Sequence, residues 1–172
     1  GMAATVGQRV TGGLLASERI VNVGANSGPQ IIVGREAVNL AEFKRLNVID
    51  ADVGRLRPGE AGAAAEIQNY LKGNLERTAQ DISGDFVFTS GKNSGKTVDF
   101  MLTPDTVIQA EKINKFFGNN VEGFSNQLEL HLNKADFVPM DSRFLNIENK
   151  NILMDIINNQ PMHLQSKIIL IR

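Results

Sequence analysis

The chain has 172 residues, no cysteine and a formal net charge of −1, so it is long enough for one domain and has no disulfide, thiolate metal site or cysteine nucleophile. No apolar segment approaches the ~18–20 residues that span a bilayer, so we expect no stable membrane insertion. Because the whole chain is close to neutral, binding of a nucleic acid would require a local basic surface.

The first 55 residues differ in pattern from the rest of the chain. They contain seven glycines within the first 34 positions, followed by apolar side chains at helical spacing in 35–46. The segment 50–60, with Pro58-Gly59, predicts a loop. We interpret residues 1–55 as a short, mainly helical N-terminal part, which would belong to a delivery segment, and residues 56–172 as the functional domain.

From residue 60 the pattern becomes regular. It predicts, in chain order, a helix at 60–80, a hairpin with strands at 85–90 and 96–103, a segment at 104–118 that fits either a helix or a short strand, a helix at 122–135, a strand at 136–141, a helix at 149–160 and a buried strand at 167–172. This order predicts an α/β fold with a mixed sheet flanked by helices. The later strands are expected to be parallel because helices connect them.

The stretch SGKNSGKT (90–97) looks at first sight like a phosphate-binding loop. That loop requires Gly, four residues and then Gly-Lys-Ser/Thr at a strand-to-helix junction. Only three residues separate Gly91 from Gly95, and the following TVDFMLT alternates as a strand does. We therefore predict a β-hairpin with Asn-Ser-Gly at its turn.

Two carboxylates near this hairpin are candidates for chemistry. Asp99 is predicted in the middle of a strand, where aspartate is disfavoured. A carboxylate held there can coordinate a divalent metal, or it can face solvent or pair with a lysine. Glu66 lies at the border of the apolar stripe of helix 60–80, from which it can lean over the sheet or remain solvated.

Polar side chains on the later segments add three candidates. His131 lies inside the apolar stripe of helix 122–135, with Gln127 one turn before it at the border. A histidine in that position is either a hydrogen-bonded core residue or a catalytic group. Lys112 would lie beside the strand of Asp99 if 107–112 is a strand, and on the surface if it is a helix.

The order of these elements resembles the nuclease fold of restriction endonucleases, the PD-(D/E)XK superfamily. Three stretches more specifically resemble the C-terminal toxin domains of CdiA-type contact-dependent growth inhibition proteins and related bacterial polymorphic toxins. They are RPGEAGAAAEIQNYL (57–71), GKTVDFMLTPD (95–105) and NQLELHLNKADFVPMD (126–141). The likeness covers roughly residues 57–172 and implies a restriction-endonuclease-like core.

This resemblance implies metal-dependent hydrolysis of phosphodiester bonds. Its helix carboxylate would be Glu66 and its metal-binding aspartate Asp99, together holding Mg²⁺ or another divalent metal. Its lysine would be Lys112, although no Asp/Glu-x-Lys tripeptide follows Asp99. Its polar helix position would be Gln127, and Asp85 would supply a further carboxylate.

The resemblance also implies substrate, partner and location. The substrate would be tRNA, with DNA as the alternative, and the partner a cognate immunity protein. The chain would be secreted or displayed on a cell surface as part of a larger protein and act in the target-cell cytoplasm. Lys92, Lys96 and Lys115 are the expected contacts to the nucleic-acid backbone. Two further functions stay open: a metal-free protein-binding module, and metal-free RNA cleavage by His131.

Overall fold

The computed structural model describes residues 28–37, 39–79 and 82–172. Within these ranges the elements are β1 (Gln30–Ile32), α1 (Leu40–Leu46), β2 (Ile49–Asp50), β3 (Arg55–Leu56), α2 (Pro58–Leu71), β4 (Leu75–Arg77), β5 (Phe86–Phe88), β6 (Thr97–Val98), α3 (Val107–Phe116), a 3₁₀ turn (Phe117–Asn119), α4 (Val121–Lys134), β7 (Val138–Asp141), α5 (Ile147–Asn158), α6 (Met162–Gln165) and β8 (Ile168–Ile171). The predicted mixed α/β fold is confirmed. None of the helices in these ranges combines the length and apolarity needed to cross a membrane.

Two three-stranded sheets of the described residues join along β6 and the segment directly after it, which carries Asp99. β4, β5 and β6 are antiparallel, and β1, β8 and β7 are parallel, in those orders. After β6 the chain runs beside β7, where the amides of Asp99 and Met101 donate to the carbonyls of Phe137 and Pro139, both at 3.0 Å. The resulting mixed sheet has the order β4–β5–β6–β7–β8–β1. The parallel pairing of β7 with β8 agrees with the prediction drawn from their helical connection.

Apolar side chains of the described residues pack in two clusters. In the first, the alanines of α2 and Ile67 contact Phe86 and Phe88 of β5. Their small size lets α2 approach the sheet closely. In the second, Leu128 and Leu132 of α4 pack with α5, β7 and β8. Helices α2 and α4 are thus both anchored to the sheet, one through each cluster.

The stretch SGKNSGKT is the turn of a β-hairpin, as predicted. β5 and β6 pair with Phe86 opposite Val98, and the amide of Gly95 donates to the carbonyl of Phe88 at 2.8 Å. Gly91 and Gly95 have φ angles of 79° and 88°, a conformation that glycine adopts without strain. The pairing of β5 with β6 brings together Asp85, which directly precedes β5, and Asp99, which directly follows β6.

Three predicted elements differ in the structure, and one undecided segment is resolved. The strand predicted at 96–103 ends at Val98, after which only single bridges continue to Met101. The loop predicted at 50–60 contains β3 and the first turn of α2. The helix predicted at 60–80 ends at Leu71, because Lys72 takes a left-handed cap conformation with φ 58° and Gly73 continues the turn into β4. The undecided segment 104–118 contains the helix α3. The side chain of Thr106 caps this helix by accepting a hydrogen bond from the amide of Gln109 at 3.1 Å.

The described residues before 56 pack on the rest of the domain. β1 pairs with β8, with Gln30 opposite Ile169, and α1 packs on α2. The β2–β3 hairpin carries Asp50 to a buried position. Residues 1–27 of the predicted N-terminal part lie outside the described residues, and the division at residue 55 stays a prediction.

Candidate active site

A cavity of about 580 Å³ opens beside the hairpin. Its walls are the start of α2, the ends of the hairpin strands, the loop after β6, and helices α3 and α4. The titratable side chains that line it are Arg57, Glu60, Asp85, Asp99, Lys112 and His131. Four of the residues selected from the sequence therefore meet here, together with two that the sequence did not single out.

Asp99 is buried and is held from one side by helix α4. His131 donates a hydrogen bond from Nδ1 to Asp99 Oδ2, and Lys134 Nζ lies 3.4 Å from the same oxygen. The two side chains share a helix face because they are three residues apart. Burial alone would raise the pKa of Asp99, but the hydrogen bond and charge of His131, with Lys134, outweigh it and lower the pKa. Asp99 is therefore an ionised carboxylate.

Asp85, directly before β5, is the second carboxylate. Its Oδ2 accepts a hydrogen bond from the amide of Phe100 at 2.8 Å. Burial, followed by the negative charges of Glu60 and Asp99, raises the pKa of Asp85 to about 8. Without a bound cation, Asp85 is therefore mostly protonated at pH 7 and shares this proton with Asp99.

Glu60, in the first turn of α2, is the third carboxylate and is only 3% exposed. Its Oε1 lies 2.6 Å from Arg77 Nη1, and its Oε2 lies 2.8 Å from Arg57 Nη1. Burial raises the pKa of Glu60 even though both arginines oppose the shift. Glu60 therefore lies at the cavity wall with both carboxylate oxygens paired.

These carboxylates fit a divalent cation. One oxygen each of Asp50, Glu60 and Asp85 lie within 4.8 Å of one another. Carboxylate oxygens are the ligands that Mg²⁺ and Mn²⁺ prefer, and the charges of Glu60 and Asp99 add to burial in raising the pKa of Asp85. Asp50 also pairs with Arg77 at 3.5 Å, outside the cavity lining. Glu60 and Asp85 of this cluster line the cavity, and Asp99 lines it beside them without belonging to the cluster, so these three are the accessible candidate ligands.

Glu66, the metal ligand expected from the sequence, lies outside this cavity. Its carboxylate pairs with Arg35 Nε at 3.2 Å and Arg143 Nη1 at 3.5 Å. Six residues separate it from Glu60, which turns the two side chains about 240° apart around the helix. The structure thus places Glu66 in an ion-pair network and brings Glu60 to the site. Glu60 lies on the same side of α2 as Ala63 and Ile67, which follow it by three and seven residues. This spacing is the feature of the sequence that could have identified Glu60 as a site residue.

The other selected side chains are exposed. Lys112 is on α3 and lines the cavity, so the helical alternative for its segment is correct. Gln127 is on α4 outside the cavity lining. Lys92 and Lys96 are at the hairpin turn, and Lys115 is one turn beyond Lys112. Of these lysines, Lys112 lines the cavity, whereas Lys92, Lys96 and Lys115 are exposed outside its lining.

Buried carboxylates beside a lysine at an open cavity of a mixed sheet are typical of metal-dependent nucleases. The model of the family "CdiA C-terminal tRNase domain" matches residues 58–171. The chain belongs to this family, which confirms the resemblance to CdiA-type toxin domains.

Two relatives agree with this assignment. The chain is 59% identical over 147 residues to the tRNA nuclease CdiA of Burkholderia pseudomallei, a match that covers 86% of this chain and 11% of that protein. It also resembles the solved structure of the CdiA-CT toxin from Burkholderia pseudomallei E479 in complex with its cognate CdiI immunity protein. That match has 62% identity and a TM-score of 0.66, and it covers 67% of this chain and 100% of the other.

Proposed function

We propose that this chain is the nuclease domain of a bacterial contact-dependent growth inhibition toxin that hydrolyses phosphodiester bonds of tRNA. The observation that carries the proposal is the meeting of Glu60, Asp85 and Asp99 at one cavity, in a chain of the CdiA C-terminal tRNase family. The family description and the name of the Burkholderia relative favour tRNA over DNA as the substrate.

In the proposed mechanism, Glu60, Asp85 and Asp99 would hold Mg²⁺ or a similar ion. Such an ion acts as a Lewis acid and lowers the pKa of a water molecule bound to it. His131 and Lys134 fix the orientation of Asp99 and keep it ionised. Lys112 lies at the exposed side of the cavity, where its ammonium group stabilises negative charge on the reacting phosphate.

We further propose a partner and a setting for this activity. A cognate immunity protein would bind and neutralise the domain, since the solved relative is a complex with one. The chain spans 11% of the length of the curated relative, so the domain would be one part of a much larger secreted or surface-displayed protein. Its action would take place in the cytoplasm of the target cell, where tRNA is found.

The direct test is incubation of the purified chain with tRNA and with plasmid DNA, in Mg²⁺ and in EDTA. We expect tRNA to be cleaved in Mg²⁺ only, and Asp99→Asn to abolish cleavage. Glu129→Gln is the matched control, because Glu129 is an exposed carboxylate on α4 outside the cavity lining. Cleavage of DNA alone would identify a DNase. Failure to cleave either substrate and to bind Mn²⁺ in calorimetry would favour a protein-binding module.

Metal-free RNA cleavage by His131 is a second candidate, favoured by the contact of His131 with Asp99 at the cavity. A histidine oriented by a carboxylate can act as a general base. Activity that survives EDTA and is lost in His131→Ala would select this mechanism. Loss of activity in EDTA would exclude it.

A further inference from the structure

We propose that Arg57 is a further catalytic residue, which pairs with Glu60 in the metal-free protein and turns to the scissile phosphate of the RNA when a cation occupies the carboxylates. This inference rests on the proposed function. It assigns a role in substrate binding to a side chain that otherwise looks like a structural ion-pair partner.

Arg57 lies directly before α2 and reaches the cavity wall with a side chain that is 20% exposed. All three of its guanidinium nitrogens have partners. Nη1 lies 2.8 Å from Glu60 Oε2, Nε donates to Asp105 Oδ2 at 2.7 Å, and Nη2 donates to the carbonyl of Thr103 at 3.4 Å. The guanidinium thus bridges a candidate metal ligand and a carboxylate that lies outside this cavity.

The pairing of Glu60 conflicts with metal binding. Arginines pair with both of its oxygens, and their positive charges oppose the approach of a metal cation, so cation binding at Glu60 is favoured when one of them turns away. Arg77 is 5% exposed, also pairs with Asp50, and lies over the ring of Phe86 at 4.3 Å. Its departure would disrupt the core. Arg57 faces the cavity, and the arriving cation replaces its positive charge at Glu60, so Arg57 is the side chain that moves.

Asp105 provides the anchor for this movement. Its Oδ1 accepts from the amide of Gly59 at 2.9 Å, and its Oδ2 accepts from Arg57 Nε. Burial would raise the pKa of Asp105, but these hydrogen bonds outweigh it and lower the pKa, so the anchor stays ionised. The planar guanidinium can pivot about this Nε hydrogen bond, which takes Nη1 from Glu60 and Nη2 from the Thr103 carbonyl and turns both toward the cavity. A guanidinium fork in that position matches two oxygens of a phosphodiester.

The test compares Arg57→Gln with Arg55→Gln. Arg55 is the matched control because its Nη1 lies 3.1 Å from the same Asp105 oxygen, whereas its side chain is 56% exposed and outside the cavity lining. The two measurements are Mn²⁺ affinity by calorimetry without RNA, and single-turnover cleavage of tRNA at saturating Mn²⁺. Circular dichroism and thermal melting establish that each variant is folded.

For Arg57→Gln we expect opposite changes in the two measurements. Mn²⁺ binding tightens by about threefold, because a competing cation is gone. Cleavage falls about 10²- to 10³-fold, because the group that binds the phosphate is gone. Arg55→Gln stays within about twofold of the wild type in both. Arg57→Lys keeps the charge without the fork, so its Mn²⁺ affinity stays near the wild-type value and its cleavage rate lies between those of the wild type and Arg57→Gln.

Two results would overturn this inference and leave the proposed function intact. One is full cleavage by Arg57→Gln. The other is a loss of both Mn²⁺ affinity and cleavage in Arg57→Gln, which is the result expected if Arg57 has only a structural role. A wild-type protein that binds no Mn²⁺ and cleaves no RNA would instead overturn the proposed function, and this inference with it. The activity of the wild type therefore separates the two failures.

Discussion

Glu60 and Glu66 lie on the same helix and are equally buried, at 3% exposure, yet their partners differ. Glu60 faces the cavity, whereas Glu66 pairs with Arg35 and Arg143. We expect Glu60→Gln to weaken Mn²⁺ binding at least about tenfold and to abolish cleavage. Glu66→Gln should leave Mn²⁺ affinity within about twofold and lower the free energy of unfolding by roughly 1–3 kcal/mol, since two arginines lose their counter-charge.

Calorimetry with Mn²⁺ and urea unfolding of both variants check this pair. Each glutamate is the control for the other, because the same substitution is made on one helix at the same burial. The opposite pattern, with Mn²⁺ binding lost in Glu66→Gln and kept in Glu60→Gln, would restore Glu66 as the metal ligand.

Asp85 gives a prediction for the pH dependence of stability. Its pKa is about 8 in the folded protein and 3.8 ordinarily, so between these values the folded state keeps a proton that the unfolded state has lost. The stability that depends on this proton is complete at low pH and is lost as the pH rises to about 8. In EDTA at pH 8, Asp85→Asn should therefore be more stable than the wild type by about 2 kcal/mol or more.

Thermal and urea unfolding at pH 4, 6 and 8 measure this difference. The gain should shrink steadily toward pH 4, where both side chains are neutral. Asp155→Asn on α5 is the control, because Asp155 is exposed. Equal stability of Asp85→Asn and the wild type at pH 8 would contradict the assignment of a buried, protonated Asp85.

At the scale of elements, the β5–β6 hairpin positions both aspartates, and its turn contains two glycines that differ in their surroundings. A Cβ atom on Gly91 would meet the carbonyl oxygen of Lys72 at 2.5 Å, whereas a Cβ on Gly95 would have open space within 4 Å. Both glycines have positive φ, so alanine strains either position by about 1 kcal/mol. Only Gly91→Ala adds a clash with the backbone after α2.

We therefore expect Gly91→Ala to be the more destabilising of the two by at least about 1 kcal/mol in urea unfolding. Gly91→Ala should also lower Mn²⁺ affinity, because it shifts the hairpin that positions Asp85 and Asp99. Gly95→Ala is the control for backbone strain without the clash. Equal destabilisation would show that the turn tolerates movement away from α2.

The elements predicted correctly from the sequence are those whose secondary structure is determined by the pattern of their own residues. Alternation in TVDFMLT identified β6 but extended it past Val98, where it ends, and the apolar stripe of α4 placed His131 on the side of that helix that faces the domain. The end of α2 was missed because the cap conformation of Lys72 is uncommon for a residue other than glycine. The segment of α3 stayed open because Val107 and Ile108 suit a strand, and the cap from Thr106 decided for a helix.

At the scale of the whole molecule, the site joins segments that are distant in the sequence. Glu60 comes from α2, Asp99 from the segment after β6, and His131 from α4. Periodicity shows which side of a helix is apolar, but it does not show what the polar border of that side will face. The choice between Glu60 and Glu66 depends on how α2 is rotated against the sheet, and this rotation is fixed only by tertiary packing.

Because the net charge is only −1, the chain as a whole does not attract RNA, and binding depends on the positions of its lysines. Lys112 and Lys115 are exposed on α3, and Lys112 lines the cavity. Each phosphate contact releases a counterion, so the double change Lys112→Gln/Lys115→Gln should reduce the slope of log affinity against log salt by about 1 to 2. The hairpin pair Lys92→Gln/Lys96→Gln should reduce it similarly if the RNA backbone also contacts the β5–β6 turn.

These slopes are measured by tRNA binding in the Asp99→Asn background, where the substrate stays intact. Lys44→Gln is the control, because Lys44 is exposed on α1, outside the cavity lining. A reduced slope for the α3 pair alone would show that the RNA backbone crosses the cavity from the α3 side. Slopes equal to the control for both pairs would mean that neither α3 nor the hairpin contacts the phosphates, and that the basic surface lies elsewhere on the chain.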